Sequence, residues 1–148
     1  RQVMARYASQ PTPKAALTEL IGDGIFVCQA RRVARVAEAA NVPVYLYHFT
    51  HALDDPRVHD LGATHSVDLF FVFANPSLGY GILPSERPLA DLMMDAWGAF
   101  ARSGDPSTAS FAWPRYTRAR DEHVTLDLRP AVGTHLKQAI CDFWDTVR

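Results

Sequence analysis

Residues 44–49 read VYLYHF, and this compact run of β-branched and aromatic side chains decides the fold. Asn41 and Pro43 stand just before it, where residues of these types end a helix and open a turn. We expect a strand that is buried or nearly buried. A helix joined by a short turn to an apolar strand is the repeating step of an α/β sheet, so the sequence predicts an α/β fold.

Residues 1–40 are predicted to be helical, with Pro11 and Pro13 separating a short amino-terminal helix from a longer one. Asp23 stands where the N-cap of the longer helix would lie. Apolar side chains then recur at three- and four-residue steps, which predicts one packed face and one solvated face. The expected packed side chains are Phe26, Val27, Val33, Val36, Ala37 and Ala40, with Arg31, Arg32, Arg35 and Glu38 between them.

The chain after the strand alternates irregular and regular stretches. A polar loop over residues 50–63 leads into a second apolar run, residues 67–73, and residues 75–88 are again irregular. An amphipathic helix is predicted from Glu86 to Arg102, ended by Gly104. Residues 113–116 and 123–128 are predicted to form a short hairpin, and a last helix is expected over residues 134–146.

Composition favours a globular piece without a global charge. The chain has 148 residues, of which 48% are hydrophobic, and its net charge is −1. A balance this close to neutral sets aside nucleic acid and anionic membranes as partners. We find no apolar run long enough for a membrane span and no signal peptide at the start. Because the first residue is not methionine and the opening residues already read as helix, we expect a cut inside a longer chain.

Four histidines lie close together in the sequence, near several aspartates, and raise the question of a metal site: His48, His51, His59 and His65. A zinc site usually takes its closest pair from one rigid element, whereas His48 and His51 lie at the end of a strand and point to opposite faces. We therefore favour surface or hydrogen-bonded histidines over a metal site.

His65 stands out among them, because a loop carries it beyond a buried strand and Gly62 gives the backbone freedom to present it. The chain contains no Gly-x-Ser-x-Gly nucleophile elbow, so it cannot form a complete serine hydrolase. It also contains no glycine-rich phosphate loop, no Cys-x-x-Cys pair and no histidine-glutamate zinc helix. From the residues alone, His65 could be either a catalytic residue or an ordinary surface histidine.

Several ordered stretches resemble the carboxylesterase type B family, which includes the cholinesterases. Residues 22–28, GDGIFVC, are similar to the family's D-x-x-F-x-C segment, and residues 44–49 to a late central strand. Residues 62–73, GATHSVDLFFVF, resemble its G-x-x-H-G-x-E/D-x-x-F-V-F block, with Ser66 where glycine is common. Glu86, Trp97 and residues 100–106, FARSGDP, followed by residues 113–116, WPRY, resemble the signature that comes next.

This resemblance implies that residues 1–148 form the carboxyl-terminal part of one α/β-hydrolase domain: late sheet strands with covering helices and a short carboxyl-terminal hairpin, not a complete domain. The triad of such enzymes runs serine, acid, histidine along the chain. His65 matches the catalytic histidine, whereas the serine and the acid should lie upstream. Asp23 and Asp68 match family positions other than the triad acid, so we interpret both as structural.

The resemblance also gives the two cysteines a meaning. Cys28 and Cys141 match family cysteines that are bonded to each other, which implies a disulfide between them. Such a bond implies an oxidising compartment, so we expect an extracellular or periplasmic protein.

The implied function is hydrolysis of a small-molecule carboxylic ester through an acyl-enzyme, without cofactor or metal, with the missing amino-terminal part as the chain's partner. Only the segments near His65 and from Pro76 to Pro84 are expected to reach the substrate pocket, and the ester itself is not specified. Two alternatives stay open. One is a non-catalytic cholinesterase-like adhesion protein, and the other is an independent α/β binding module.

Overall fold

The computed structural model describes residues 2–74 and 81–147 as a mixed arrangement of helices around a three-stranded sheet. The helices are α1 (Gln2–Arg6), α2 (Pro13–Ile21), α3 (Cys28–Ala39), α4 (Asp68–Phe73), α5 (Arg87–Ser103) and α6 (Gln138–Thr146). A π-helical turn, Gly22–Val27, joins α2 to α3, and a 3₁₀ turn covers His59–Leu61. The strands are β1 (Tyr47–Phe49), β2 (Glu122–Leu126) and β3 (Ala131–Thr134).

The sheet has β2 at its centre. β1 runs parallel to β2, with Tyr47 opposite Val124 and Phe49 opposite Leu126, and β3 is antiparallel to β2. The predicted strand is therefore present, but it is shorter than expected and its three residues are half-buried rather than buried. Among the described residues, no strand lies beside the edge of β1 that faces away from β2.

One face of the sheet carries the larger core. Side chains of β1 and β2 that point to this face pack against α4, α5 and Trp113, because alternate strand residues share a face. The buried members of this core are Leu53, Val67, Phe71, Leu89, Ala90, Met93, Ala96, Trp113, Val124 and Leu126. The opposite face carries a smaller cluster of Ala34, Leu46 and Tyr116. Because Leu53 is part of the larger core, the start of the loop after β1 packs against this face of the sheet.

Helix α5 confirms the amphipathic pattern. Leu89, Met93 and Ala96 are buried, and Gly104 ends the helix in the left-handed conformation at φ 76°. Glycine adopts this conformation without a steric penalty, which explains why the helix ends there.

The predicted packed face of α3 was wrong. Val33 and Val36 are 68% and 67% exposed, whereas Arg31 is 1% exposed and lies on the inner face with Cys28 and Ala34. The inner face is selected by two long-range contacts, the disulfide of Cys28 and the ion pair of Arg31 with Asp121. Periodicity alone could not identify these contacts.

The N-cap assignment of Asp23 was also wrong. The backbone remains helical from α2 through the π-helical turn into α3, so no helix begins at Asp23. Its carboxylate is buried and accepts hydrogen bonds from the Tyr7 hydroxyl (3.2 Å) and the Lys137 ammonium (2.6 Å). These contacts agree with a structural role.

The hairpin exists, but its predicted first strand was wrong. β2 pairs with β3, residues 131–134, and not with residues 113–116. Pro114 has no N–H for a ladder, Trp113 is buried in the main core, and the Tyr116 N–H donates to the Val44 carbonyl. Because residues 131–134 belong to β3, the last helix starts at Gln138 rather than at residue 134.

Candidate functional site

His65 lies on an exposed turn between the 3₁₀ turn and α4. Two left-handed residues shape this turn, Gly62 at φ 68° and Ser66 at φ 73°. The imidazole stacks on the Phe26 ring, with 4.5 Å between the ring centroids and 24° between the planes. Within the described part of the chain, neither ring nitrogen of His65 has a hydrogen-bond partner, so both are open to other groups.

Ser66 occupies the position where glycine is common in the resembling family block. Its positive φ explains that preference, because a left-handed residue with a Cβ costs roughly 1 to 2 kcal/mol. The left-handed turn is thus kept here with serine, and the imidazole of His65 remains accessible.

His51, at the other end of the loop, has the opposite environment. It is 4% exposed, and both of its ring nitrogens contact carboxylates. Nδ1 lies 3.0 Å from Asp127 Oδ1, and Nε2 lies 2.9 Å from Glu86 Oε1. Sequence reasoning places His51 among scattered histidines and misses this cluster.

Glu86 is the centre of that cluster. It is fully buried, and besides His51 it accepts the backbone N–H groups of Asp54 (2.8 Å) and Leu83 (2.7 Å). A buried carboxylate is stable only when such donors replace water. One side chain therefore joins the loop after β1 to the segment before α5. Its place in the resembling signature was the one sequence signal that pointed to it.

Asp127 closes the cluster at the carboxyl end of β2, beside the carboxyl end of β1. Burial raises the pKa of Asp127, but hydrogen bonds from the Leu128 N–H, His51 and Thr50 lower it more, so the net pKa lies below its ordinary value. Asp127 therefore faces His51 as a carboxylate.

The remaining histidines of the run lie apart from both. His59 Nδ1 donates to the Leu53 carbonyl at 2.9 Å. Burial lowers the pKa of His48 on the other face of the sheet, and the nearby Lys137 and His123 lower it further. The structure therefore does not bring the four histidines together.

One group of side chains has the spacing of a cation site. Among the described residues, one ligand atom each from His51, Asp54 and Glu86 lies within 4.8 Å of the others. These atoms already have partners, because His51 contacts Glu86 and the Asp54 carboxylate accepts from the Ser85 hydroxyl at 2.5 Å. Hydrogen bonding accounts for the group, and we assign no metal to it.

Asp68, the first residue of α4, contacts a residue of β1. It accepts a hydrogen bond from the Tyr47 hydroxyl at 3.0 Å, and burial together with this carboxylate raises the pKa of Tyr47. This contact agrees with the structural role expected for Asp68. Of the expected pocket segment from Pro76 to Pro84, residues 76–80 lie outside the described residues.

Cys28 and Cys141 form the expected disulfide, which connects the start of α3 to α6. Next to it, Gly24 lies so close to α6 that a Cβ there would be 3.1 Å from the Trp144 ring. Across residues 2–74 and 81–147, we find no helix with the length and apolar character needed to cross a bilayer.

Known proteins are similar to this sequence over most of its length. The model of the carboxylesterase family matches residues 2–144. Carboxylesterase 5A of Felis catus is 36% identical over 136 residues, covering 85% of this chain and 25% of that protein. Acetylcholinesterase of Bungarus fasciatus is 34% identical over 140 residues, covering 89% and 23%. Acylcarnitine hydrolase of Mus musculus is 33% identical over 138 residues, covering 90% and 24%.

This chain spans about a quarter of the length of those curated relatives. The family match runs through the π-helical turn, the His65 turn, α5 and the disulfide, which together shape the site. The chain therefore belongs to the carboxylesterase family.

Proposed function

We propose that this chain is the carboxyl-terminal part of a serine carboxylesterase and that His65 is its catalytic general base and acid. The observation that carries the proposal is the open imidazole of His65, exposed on a turn, with no hydrogen-bond partner among the described residues. A triad histidine needs both nitrogens free, one for the serine hydroxyl and one for the orienting acid.

The chemistry follows from that geometry. Imidazole exchanges protons in the neutral pH range, so it accepts the serine proton as the hydroxyl attacks the ester carbonyl. The same proton then passes to the leaving alcohol. Water next attacks the carbonyl of the acyl-enzyme while the imidazole takes its proton, and that proton returns to the serine oxygen as the carboxylic acid leaves. His51 is unsuited to this task, because two carboxylates occupy its nitrogens.

The serine, the acid and the oxyanion donors are proposed to lie in other parts of a longer polypeptide. The absence of a nucleophile elbow supports this, as does a chain length near a quarter of that of the relatives. Among the described residues, β1 has one unpaired edge and Val33 and Val36 are exposed, and such a polypeptide would cover these surfaces. The disulfide supports an extracellular or periplasmic location.

The test compares two histidines of the same loop in the polypeptide that contains both this chain and its serine. We expect His65→Ala to lower kcat for an activated ester by about 10⁴-fold or more, as in other triads. His59→Ala, an exposed histidine in the same loop, is the matched control and should leave kcat nearly unchanged. A loss below tenfold for His65→Ala would show that another residue is the base.

A second measurement tests the missing nucleophile. This chain alone should show no turnover of an activated ester above background, since no acyl-enzyme can form without the serine. A burst of product from the isolated chain, proportional to its concentration, would contradict the proposed division of the triad. If the natural upstream sequence has another residue at the position of the elbow serine, the adhesion alternative is favoured instead.

A further inference from the structure

The stack between Phe26 and His65 leaves the chemistry of the imidazole untouched. Its two nitrogens bond within the ring plane, whereas the Phe26 ring covers a face of the imidazole, 4.5 Å away. On the described residues, no hydrogen bond fixes the plane of His65, and the stack is the contact that does. A face contact of this kind limits rotation of the imidazole without occupying either nitrogen.

Phe26 is presented by the π-helical turn, Gly22–Val27. Such turns are rare and are frequently found at functional sites. Phe26 remains 41% exposed, although a ring of its size would normally be buried in the core. Phe26 belongs to neither of the two core clusters, and its ring contacts the His65 imidazole instead.

The turn behind Phe26 is held from several sides. The Asp23 carboxylate binds Tyr7 and Lys137, Gly24 lies against the Trp144 ring, and Cys28 is bonded to Cys141. These contacts join the turn to Tyr7, just after α1, and to α6 with the residue before it. The Phe26 backbone is therefore fixed, although its side chain lies near the surface.

We infer that Phe26 is a positioning residue that sets the plane of the His65 imidazole by stacking on one face of it, an inference that rests on the proposed function. In the absence of this ring, the imidazole would sample rotamers in which its nitrogens miss the serine and the acid. Small errors in placing a catalytic group can reduce turnover by up to about a hundredfold.

The test uses the polypeptide that contains this chain and its serine, with histidine rings labelled with ¹³C. Protons held over an aromatic face resonate upfield, so Phe26→Leu should move the His65 ring signals downfield, and Phe26→Tyr should keep them in place. The signals are assigned with His65→Gln. Phe73→Leu, the same substitution at a phenylalanine that is 70% exposed, is the matched control.

The kinetic arm separates positioning from folding. Phe26→Leu should lower kcat about tenfold to a hundredfold with KM for a small ester nearly unchanged, and Phe26→Tyr should restore most of kcat. Unmoved His65 signals in Phe26→Leu, or an unchanged kcat when those signals do move, would overturn the inference.

The two proposals fail in different ways. If His65→Ala retains its activity, the proposed catalytic role is lost together with the positioning role. If His65→Ala is inactive while Phe26→Leu turns over normally, the catalytic role stands and only the positioning role is lost.

Discussion

His51 and His65 lie at the two ends of one loop, and their environments differ in every respect that matters for chemistry. His51 is buried, and Glu86 and Asp127 occupy its two nitrogens. His65 is exposed, and the Phe26 ring stacks on it. The first histidine joins three segments of the fold, whereas the second is held by its face and offers its nitrogens to solvent.

The contrast shows how the environment of a histidine decides between a structural and a catalytic role. A histidine that bonds a fully buried carboxylate such as Glu86 stabilises the structure, because removing it leaves that carboxylate short of one donor. A histidine with unused nitrogens contributes little to stability and is available for proton transfer. Stability and activity measurements on the same variants should therefore rank the two in opposite order.

The largest effect on stability is expected from removing the disulfide, which lies away from both histidines, and the other effects can be compared with it. The Cys28–Cys141 bond connects residues separated by 113 positions in the sequence. Replacing both cysteines by serine should lower the free energy of unfolding by roughly 4 to 5 kcal/mol on the chain-entropy model. Urea unfolding of both proteins measures the difference, and mass spectrometry with and without reductant verifies the bond. Equal stability would remove the disulfide as a support for the Phe26 turn.

The next effect tests the buried histidine. His51→Ala leaves the Glu86 carboxylate short of one donor in the core, so we expect a loss of about 3 kcal/mol in the free energy of unfolding. His59→Ala is the matched control, since that side chain is exposed and bonds the Leu53 carbonyl. Its loss should be about 1 kcal/mol or less. Similar losses for the two variants would mean that the buried cluster carries no special weight.

A smaller effect, of opposite sign, is expected next to His65. Ser66→Gly removes the Cβ from a residue at φ 73°, which should raise the free energy of unfolding by about 1 kcal/mol. Ser9→Gly provides the contrast, because Ser9 lies in an exposed turn and is not among the residues with positive φ. There the added backbone freedom should destabilise by a few tenths of a kcal/mol. Thermal unfolding of both variants decides the sign.

The smallest effect on stability is expected from His65 itself. Because the imidazole is exposed and lacks a hydrogen-bond partner among the described residues, His65→Ala should change the free energy of unfolding by no more than about 0.5 kcal/mol. Urea unfolding beside His51→Ala gives the comparison directly. A loss near that of His51→Ala would place His65 with the structural residues and would weaken its proposed role.

Local sequence patterns predicted the helices and strands that pack against ordinary apolar side chains. In helix α5 apolar side chains recur at three- and four-residue steps, and Gly104 ends the helix, so both its existence and its end were predictable. The strand at residues 44–49 was predictable from its side chains, although the hydrogen-bonded part, β1, is shorter. These predictions depend on periodicity or on side-chain type, and both are compatible with any apolar partner.

Patterns failed where a polar contact selected the inner face. Val33 and Val36 suggested the packed side of α3, but Arg31 is buried because Asp121 pairs with it from the far end of the chain. The partner of β2 was misassigned for a similar reason. Residues 131–134 are weakly apolar and largely exposed, and only the register across the turn identifies them as β3.

The sequence by itself determined the family, the disulfide pair expected from it and the candidate histidine, because each depends on residue types at ordered positions along the chain. The tertiary structure alone decided that Glu86 and Asp127 contact the two ring nitrogens of His51. It also decided that the Ser66 backbone is left-handed and that Phe26 stacks on His65. Each of these features depends on groups that are distant in sequence or on a backbone angle. Such relations exist only after packing has brought the segments together, so no local pattern contains them.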